Sequence, residues 1–150
     1  MNRQEDDIRY MRAALDEARR AYEAGEVPVG AVVVSPRGTI IGRGHNLTQT
    51  LGDVTAHAEM MAITAATNTL GGKYLDGCTL YVTVEPCVMC AGAIGWSQLS
   101  RIVWGADDPK RGQSAYLSRS AFHPRAEIVR GVMADEASAL MRDFFAARRH

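Results

Sequence analysis

Two short strings of metal-binding residue types constrain the fold of this chain more than any other feature. They are His57-Ala58-Glu59 and Pro86-Cys87-Val88-Met89-Cys90. Together they supply one imidazole, two thiols and one carboxylate, and the fold must bring the strings together if these groups share one ion. A structural zinc site is normally closed by four protein ligands, whereas a catalytic site uses three and leaves the fourth position to water. Because no obvious fourth ligand follows, the pattern predicts a catalytic zinc site with a nearby acid/base.

Each string taken alone has other interpretations. A C-x-x-C pair also occurs in redox-active proteins and as half of a zinc ribbon. A ribbon needs a second pair, and the only other cysteine in the sequence is Cys78. A redox pair has no use for an upstream histidine and glutamate, and a lone H-x-E string is common by chance. The two strings together form the pattern of the zinc-dependent base deaminases.

Hydrophobic periodicity predicts alternating helices and strands. We expect helices at residues 8–22, 55–70 and 135–148, another opened by Pro86, and strands at 29–34, 39–44, 79–84, 102–104 and 126–130. Gly25 is placed to cap the first helix, and residues 45–53 are expected to form a polar loop. This order predicts one α/β domain over residues 1–150, with three α-β-α layers and a mixed five-stranded sheet between the helices.

This arrangement of helices explains the spacing of the residues in the two metal-binding strings. Cys87 and Cys90 are three residues apart in the first turn after a strand, so both thiols can face one ion. The start of a helix favours the thiolate over the thiol. His57 is expected at or just before the start of its own helix. Positions two apart on a helix diverge by about 200°, so Glu59 is expected to reach water and substrate rather than the metal.

A longer stretch of sequence, residues 27–112, resembles the cytidine-deaminase superfamily. The resemblance depends on four segments: residues 29–34 (VGAVVV), residues 55–60 (TAHAEM), residues 80–93 (LYVTVEPCVMCAGA) and residues 105–112 (GADDPKRG). The last segment is similar to that of the bacterial tRNA adenosine deaminases, which convert wobble adenosine to inosine. The resemblance continues more weakly to the last helix.

The resemblance implies a Zn²⁺ ion held by His57, Cys87 and Cys90. It implies that Glu59 takes a proton from the zinc-activated water and delivers it to a ring nitrogen of the base. Glu59 then passes a proton to the departing amine, and ammonia leaves. For an adenine base, the attacked atom is C6.

Further positions are implied to contact the substrate. The backbone N–H of Ala58 is expected at the pocket, Asn46 is expected to bind the purine, and Asp108 is expected to contact a flanking ribose. Asn46 can also be a plain turn residue, Asp108 can cap a turn, and the neighbouring Asp107 leaves the match open by one position. Val29 and Val84 are expected to line the base pocket as apolar wall residues, or else to belong only to the core.

The implied partners are a tRNA anticodon loop and a second copy of the chain. Four small residues would permit close packing in a homodimer or within the domain: Ala91, Gly92, Ala93 and Gly95. Three departures from the family pattern, at Val54, His45 and Trp96, leave a second function open. The segment ending at Trp96 is similar to guanine deaminases, so a free nucleobase or nucleoside deaminase, acting on guanine or cytosine, is the alternative. A catalytically inactive zinc-binding scaffold is a third possibility, which the presence of Glu59 disfavours.

Composition adds only broad expectations. The net charge is zero, but residues 101–150 carry nine basic against six acidic side chains. If these bases cluster in space, Lys110, Arg111, Arg148 and Arg149 could hold phosphates. No apolar run approaches the ~20 residues of a membrane span. With two of three cysteines assigned to a metal, the sequence fits a reducing cytoplasm.

Overall fold

The computed structural model describes residues 2–148 and contains five strands and five helices in that part of the chain. The elements are, in chain order, α1 (Arg3–Glu23), β1 (Gly30–Val34), β2 (Ile40–His45), α2 (Thr48–Leu51), α3 (Ala58–Leu70), β3 (Thr79–Val84), α4 (Val88–Trp96), β4 (Arg101–Ala106), β5 (Glu127–Val129) and α5 (Ala134–Ala146). A 3₁₀ turn at Gln113–Ala115 interrupts the long loop between β4 and β5.

The five strands form one mixed sheet with the order β2-β1-β3-β4-β5. β1 is antiparallel to both β2 and β3, whereas β3, β4 and β5 are parallel to one another. A parallel pair needs a crossover connection, and α4 supplies it between β3 and β4. The predicted mixed five-stranded sheet is confirmed.

Helices cover both faces of this sheet. α1 and α5 pack on one face, where Met11, Leu15, Val32 and Val103 belong to one buried cluster. α3 and α4 pack on the other face, over a second cluster that includes Val33. Because successive side chains of a strand alternate between faces, neighbouring valines of β1 belong to different clusters. The predicted three-layer α-β-α architecture is confirmed.

The contact between α3 and β2 is unusually close because small residues meet on both sides. A Cβ atom on Gly44 would lie 2.6 Å from the carbonyl oxygen of Ala58, and one on Gly42 would collide with the carbonyl oxygen of Ala62. Side chains at these two strand positions would therefore push the helix away. The start of α3 is held against the end of β2 as a result.

A buried ion pair fastens α1 to the first residue of β4. The two carboxylate oxygens of Asp7 accept hydrogen bonds from Arg101 at 2.6 and 2.7 Å, and Tyr81 donates to the same carboxylate at 2.7 Å. Burial raises the pKa of Asp7, but these hydrogen bonds outweigh it and hold the pKa below its usual value. The pair lies at the opposite end of β4 from the loop that follows Ala106.

The predicted polar loop at residues 45–53 contains a short helix, α2. The buried carboxylate of Glu26 accepts hydrogen bonds from the backbone N–H groups of Gln49 and Thr50, at 3.1 and 2.6 Å. These are donors of the first helical turn, which have no partner inside a helix. A distant acid therefore stabilises a turn of helix that local sequence does not signal.

Two predicted helix starts are wrong by two or three residues. α3 begins at Ala58 rather than Thr55, because the Asp53 side chain accepts hydrogen bonds from the backbone and hydroxyl of Thr55 and holds a turn there. α4 begins at Val88 rather than Pro86, because the carbonyl of Pro86 accepts the N–H of Gln113 and the chain stays extended. At the other boundaries the strands and helices differ from the prediction by two residues or fewer, except where α1 begins five residues earlier.

Candidate active site

Three metal-binding side chains converge where α3 and α4 begin. His57 and Cys87 are the N-cap residues of α3 and α4, and Cys90 is the third residue of α4. The His57 Nδ1 atom lies 3.6 Å from the Cys87 Sγ atom and 3.5 Å from the Cys90 Sγ atom. All three donor atoms lie within 4.8 Å of one another. In residues 2–148, no other group of three or more such side chains is close enough to hold one ion.

The two thiols of this cluster shift each other's pKa in opposite directions. Contact with the Cys90 thiol, followed by contact with His57, lowers the pKa of the Cys87 thiol to about 4, against the effect of burial. The same contact with Cys87, together with burial, raises the pKa of Cys90. Two thiolates this close repel each other unless a cation lies between them. One imidazole and two thiolates form a donor set that suits Zn²⁺ and leaves a fourth tetrahedral position open.

Glu59 lies beside this cluster but is not part of it. Its side chain is buried, and burial raises its pKa to about 7, to which the negative charge of Cys87 also contributes. The expectation that Glu59 diverges from His57 assumed that both residues belong to one helix. His57 instead has an extended backbone before α3, and both side chains border the same cavity. The Glu59 carboxylate thus borders the same cavity as the metal-binding side chains but is not one of the three that could hold the ion.

A cavity of about 260 Å³ opens over these residues. All five residues that the sequence assigns to substrate contacts lie in its wall: Val29, Asn46, Ala58, Val84 and Asp108. The structure brings them together with His57, Cys87 and Glu59; Cys90 lies behind them, fully buried. The wall also contains residues without a predicted place in the pocket: Val27, Thr48, Glu85, Arg111 and Met141. Met141 lies on the apolar face of α5. Hydrophobic periodicity does not distinguish a pocket residue from a core residue on such a face.

Asn46 has an unsatisfied group inside this cavity. The residue is 8% exposed, and its Oδ1 atom has no hydrogen-bond partner in the described part of the chain. A buried polar atom without a partner is costly, so a ligand that donates a hydrogen bond would be favoured there. The preceding residue, His45, does not line the cavity; its Nδ1 atom lies 2.9 Å from the Glu17 carboxylate of α1.

The two adjacent acids after β4 have different surroundings. Asp107 accepts hydrogen bonds from the Trp104 indole and from Arg130, at 2.8 Å each. Asp108 borders the cavity, and its Oδ1 atom also accepts the N–H groups of residues 110 and 111. Asp108 is thus in the cavity wall and also caps the turn at residues 109–111.

The other residues singled out by sequence differ in their position relative to the cavity. Arg111 lines the cavity, whereas the Arg148 guanidinium lies 3.6 Å from the ring centre of Phe144 on α5. Arg149 lies outside the described residues. Cys78 is buried in the core, away from the metal-binding cluster, and burial raises the pKa of its thiol. Trp96 is 85% exposed at the end of α4.

Among residues 2–148, no helix is both long and apolar enough to cross a membrane.

Residues 4–106 match the family model for the cytidine and deoxycytidylate deaminase zinc-binding region. The chain is 47% identical over 143 residues to the tRNA-specific adenosine deaminase of Bacillus subtilis, covering 93% of this chain and 88% of the relative. It is 42% identical over 145 residues to the tRNA-specific adenosine deaminase of Aquifex aeolicus, covering 94% and 95%.

Solved structures with the same fold include two kinds of deaminase. A tRNA:A34 deaminase, studied for A-to-I editing at the wobble position of transfer RNA, superimposes with a TM-score of 0.81. It is 42% identical, and the match covers 88% of this chain and 98% of that one. The guanine deaminase from Nitrosomonas europaea superimposes with a TM-score of 0.78 at 28% identity, over 93% and 84% of the two chains.

Proposed function

The chain belongs to the zinc-dependent cytidine and deoxycytidylate deaminase family, and we propose that it hydrolyses adenosine to inosine at the wobble position of tRNA. One observation carries this proposal more than any other. A buried glutamate and a His/Cys/Cys cluster share one cavity, in a chain 42–47% identical to tRNA-specific adenosine deaminases over nearly its whole length.

The proposed chemistry needs one ion and one proton carrier. A zinc ion held by His57, Cys87 and Cys90 would supply the Lewis acidity that makes water nucleophilic near neutral pH. Glu59 accepts the proton that the water loses and donates it to N1 of the adenine ring. C6 thereby becomes more electrophilic. After water has added at C6, Glu59 takes the remaining proton of the added hydroxyl and passes it to the exocyclic amine. The C6–N bond then breaks, ammonia leaves and the C6 carbonyl of inosine forms.

The other cavity residues are proposed to hold the base. The free Oδ1 atom of Asn46 accepts a hydrogen bond from the purine, and Val29 and Val84 provide apolar contacts with its faces. The backbone N–H of Ala58 points to the pocket and stabilises developing negative charge on oxygen. Asp108 contacts the ribose of a flanking nucleotide.

A tRNA anticodon loop suits this pocket because its bases can be splayed out at small cost. Arg111 at the cavity and Lys110 beside it can bind the phosphates around the target, and Arg148 and Arg149 are proposed to extend this contact. We place the enzyme in the cytoplasm, where tRNA is available and thiolates stay reduced.

A second candidate is a guanine deaminase. The superposition with the guanine deaminase from Nitrosomonas europaea, and the Gly-Ala-Ile-x-Trp segment ending at Trp96, support it. Trp96 does not line the cavity, however, and the identity to the Nitrosomonas europaea enzyme is lower than the identity to the tRNA:A34 deaminase over a comparable length. These two facts favour the tRNA substrate.

We also propose that the chain forms a homodimer through the outer face of α4. Val88, Met89 and Trp96 are large apolar side chains exposed on this helix, and a Cβ atom on Gly92 would meet nothing within 4 Å. Gly95 is different, because a Cβ there would collide with the carbonyl of Ala121 in the same chain. Only part of the small-residue segment is therefore free for a partner.

Light scattering should give a particle of twice the 16.3 kDa chain mass. Trp96→Ser removes the most exposed apolar side chain of α4 and should weaken the dimer. Val54→Ser, which removes another exposed apolar side chain outside α4, serves as the control. A wild-type protein that stays monomeric across the concentration range would contradict the proposal.

Zinc binding should depend on Cys90 and not on Cys78. Cys90→Ala removes one of three ligands and should leave well under one zinc per chain, because the two remaining donors cannot hold the ion tightly. Cys78→Ala should keep one zinc per chain, since this thiol is buried in the core. Elemental analysis of both purified variants measures this. A full zinc content in Cys90→Ala, or its loss in Cys78→Ala, would show that the ligand assignment is wrong.

Glu59→Gln should abolish deamination while leaving zinc bound. The amide has nearly the same size as the carboxylate but cannot carry a proton, so we expect a loss of kcat of at least about 100-fold. Elemental analysis and thermal unfolding should match the wild type. If the variant loses zinc, the carboxylate is a ligand and not the proton carrier.

The substrate assay separates tRNA from free bases. The protein is incubated separately with an adenosine-wobble tRNA, guanine, cytosine and adenosine, and ammonia and inosine are measured. We expect inosine in tRNA only, with KM rising as salt rises, because each phosphate contact releases counterions. Arg111→Gln should weaken this salt dependence by about one phosphate contact, whereas Arg37→Gln, in the turn at the far end of β1, should not. Turnover of guanine with unmodified tRNA would refute the proposed substrate and leave the zinc chemistry intact.

A further inference from the structure

We propose that Glu85 is a positioning residue that holds the substrate-facing loop, residues 108–114, at a fixed distance from the metal-binding cluster. This inference rests on the proposed function for what the loop contacts. It concerns a buried carboxylate that the proposed chemistry does not use and that the metal-binding pattern does not identify.

The side chain of Glu85 accepts three hydrogen bonds, all from this loop. Its Oε1 atom accepts the backbone N–H of Asp108 at 3.0 Å. Its Oε2 atom accepts the backbone N–H of Ser114 at 3.0 Å and the hydroxyl of Ser114 at 2.7 Å. The first and last residues of the loop are thus bound by one carboxylate, although they are six positions apart in sequence.

The middle of the loop also closes around this carboxylate. A Cβ atom on Gly112 would lie 2.6 Å from the Oε1 atom of Glu85 and would collide with its carboxyl carbon. The N–H of Gln113 donates to the carbonyl of Pro86 at 2.8 Å, and Gly112 pairs with Cys87 in an isolated bridge. The loop therefore wraps around the glutamate and is bonded to the segment that carries a metal-binding cysteine.

The position of Glu85 explains why the loop depends on it. Its own N–H donates to the carbonyl of Ala106 at 2.8 Å, which extends the pairing of β3 with β4 by one residue. Glu85 is thus fixed to the sheet, two residues before Cys87. Asp108 and Arg111, which line the cavity, are fixed to Glu85 through the loop. The Glu85 side chain, together with the backbone bonds of residues 112 and 113 to residues 86 and 87, therefore sets the distance between the metal-binding cluster and this wall.

Glu85 does not itself have free capacity for substrate. The residue is 5% exposed, and its two oxygen atoms already accept three hydrogen bonds. A carboxylate only accepts hydrogen bonds, so Glu85→Gln places an amide NH₂ against an N–H or O–H donor. At least one contact to the loop is lost, whichever way the amide is turned.

The test compares Glu85→Gln with Asp7→Asn in the zinc-loaded protein. Asp7 is the matched control, because it is also a buried carboxylate with three hydrogen bonds but lies at the far end of β4. Rates are normalised to bound zinc, so that loss of folded protein does not affect kcat or KM. Glu85→Gln should raise KM for tRNA by about tenfold or more, the size of a lost hydrogen bond to a charged group. Its kcat should change less than about threefold, and Asp7→Asn should leave KM unchanged.

Two milder variants allow the same test if Glu85→Gln or Asp7→Asn fails to fold. Ser114→Ala removes one hydroxyl donor to Glu85, and Tyr81→Phe removes one hydroxyl donor to Asp7. Each loses one bond of 2.7 Å to a buried carboxylate, and Tyr81→Phe also loses a longer bond, of 3.4 Å, that the hydroxyl accepts from Arg101. Only Ser114→Ala should raise KM, by a few-fold.

Amide hydrogen exchange, followed by NMR without tRNA, supplies a readout that does not need turnover. The amides of Asp108 and Ser114 should exchange faster in Glu85→Gln and Ser114→Ala than in the wild type and both controls. If the wild type does not deaminate tRNA, the proposed function fails while this measurement still reports on the loop. Unchanged exchange, an unchanged KM, or loss of zinc in Glu85→Gln with retention in Asp7→Asn would each overturn the positioning role.

Discussion

The close approach of α3 to β2 determines where the chemistry of this protein can occur. Because Gly42 and Gly44 have no side chains, the backbone of α3 packs directly on the strand through Ala58 and Ala62. The first residue of the helix is therefore held at the end of β2, and His57 directly before it can reach the thiols of α4. A bulkier strand residue would move the helix and, with it, both His57 and the buried Glu59.

The sheet supplies the other half of the cluster. β3 is central and buried on both faces, and its end delivers Cys87 to the start of α4, while the parallel pairing with β4 brings the long loop alongside. Crevices beyond the carboxyl ends of parallel strands are a general location for ligand sites. The donors come from segments about thirty residues apart, so the cluster exists only in the folded chain and metal binding should stabilise that fold.

Much of this organisation can be predicted from sequence, because the strands and long helices have strong hydrophobic periodicity and the metal-binding strings are specific. The errors occur where a distant side chain decides local structure. Glu26 caps α2 from a position more than twenty residues away, and the loop at Gly112 keeps Pro86 extended. Sequence spacing could not assign Glu85, because its partners lie 23 and 29 positions further on. The sequence also does not distinguish the roles of Asp107 and Asp108, because Arg130, which binds Asp107, is 23 positions away.

Three buried glutamates near the cavity illustrate how surroundings decide what a carboxylate does. Burial raises the pKa of Glu26, but the hydrogen bonds from Thr50 and Gln49 outweigh it, so the pKa lies below its usual value. Glu85 likewise has its oxygen atoms occupied by loop donors. The oxygen atoms of both side chains accept backbone N–H groups and hold these segments in place. Glu59 is equally buried, yet its pKa is raised to about 7, with burial as the main cause. A carboxyl group that can both take and give a proton near neutrality is suited to acid/base work. The oxygen atoms of Glu26 and Glu85 are instead occupied by hydrogen-bond donors of nearby loops.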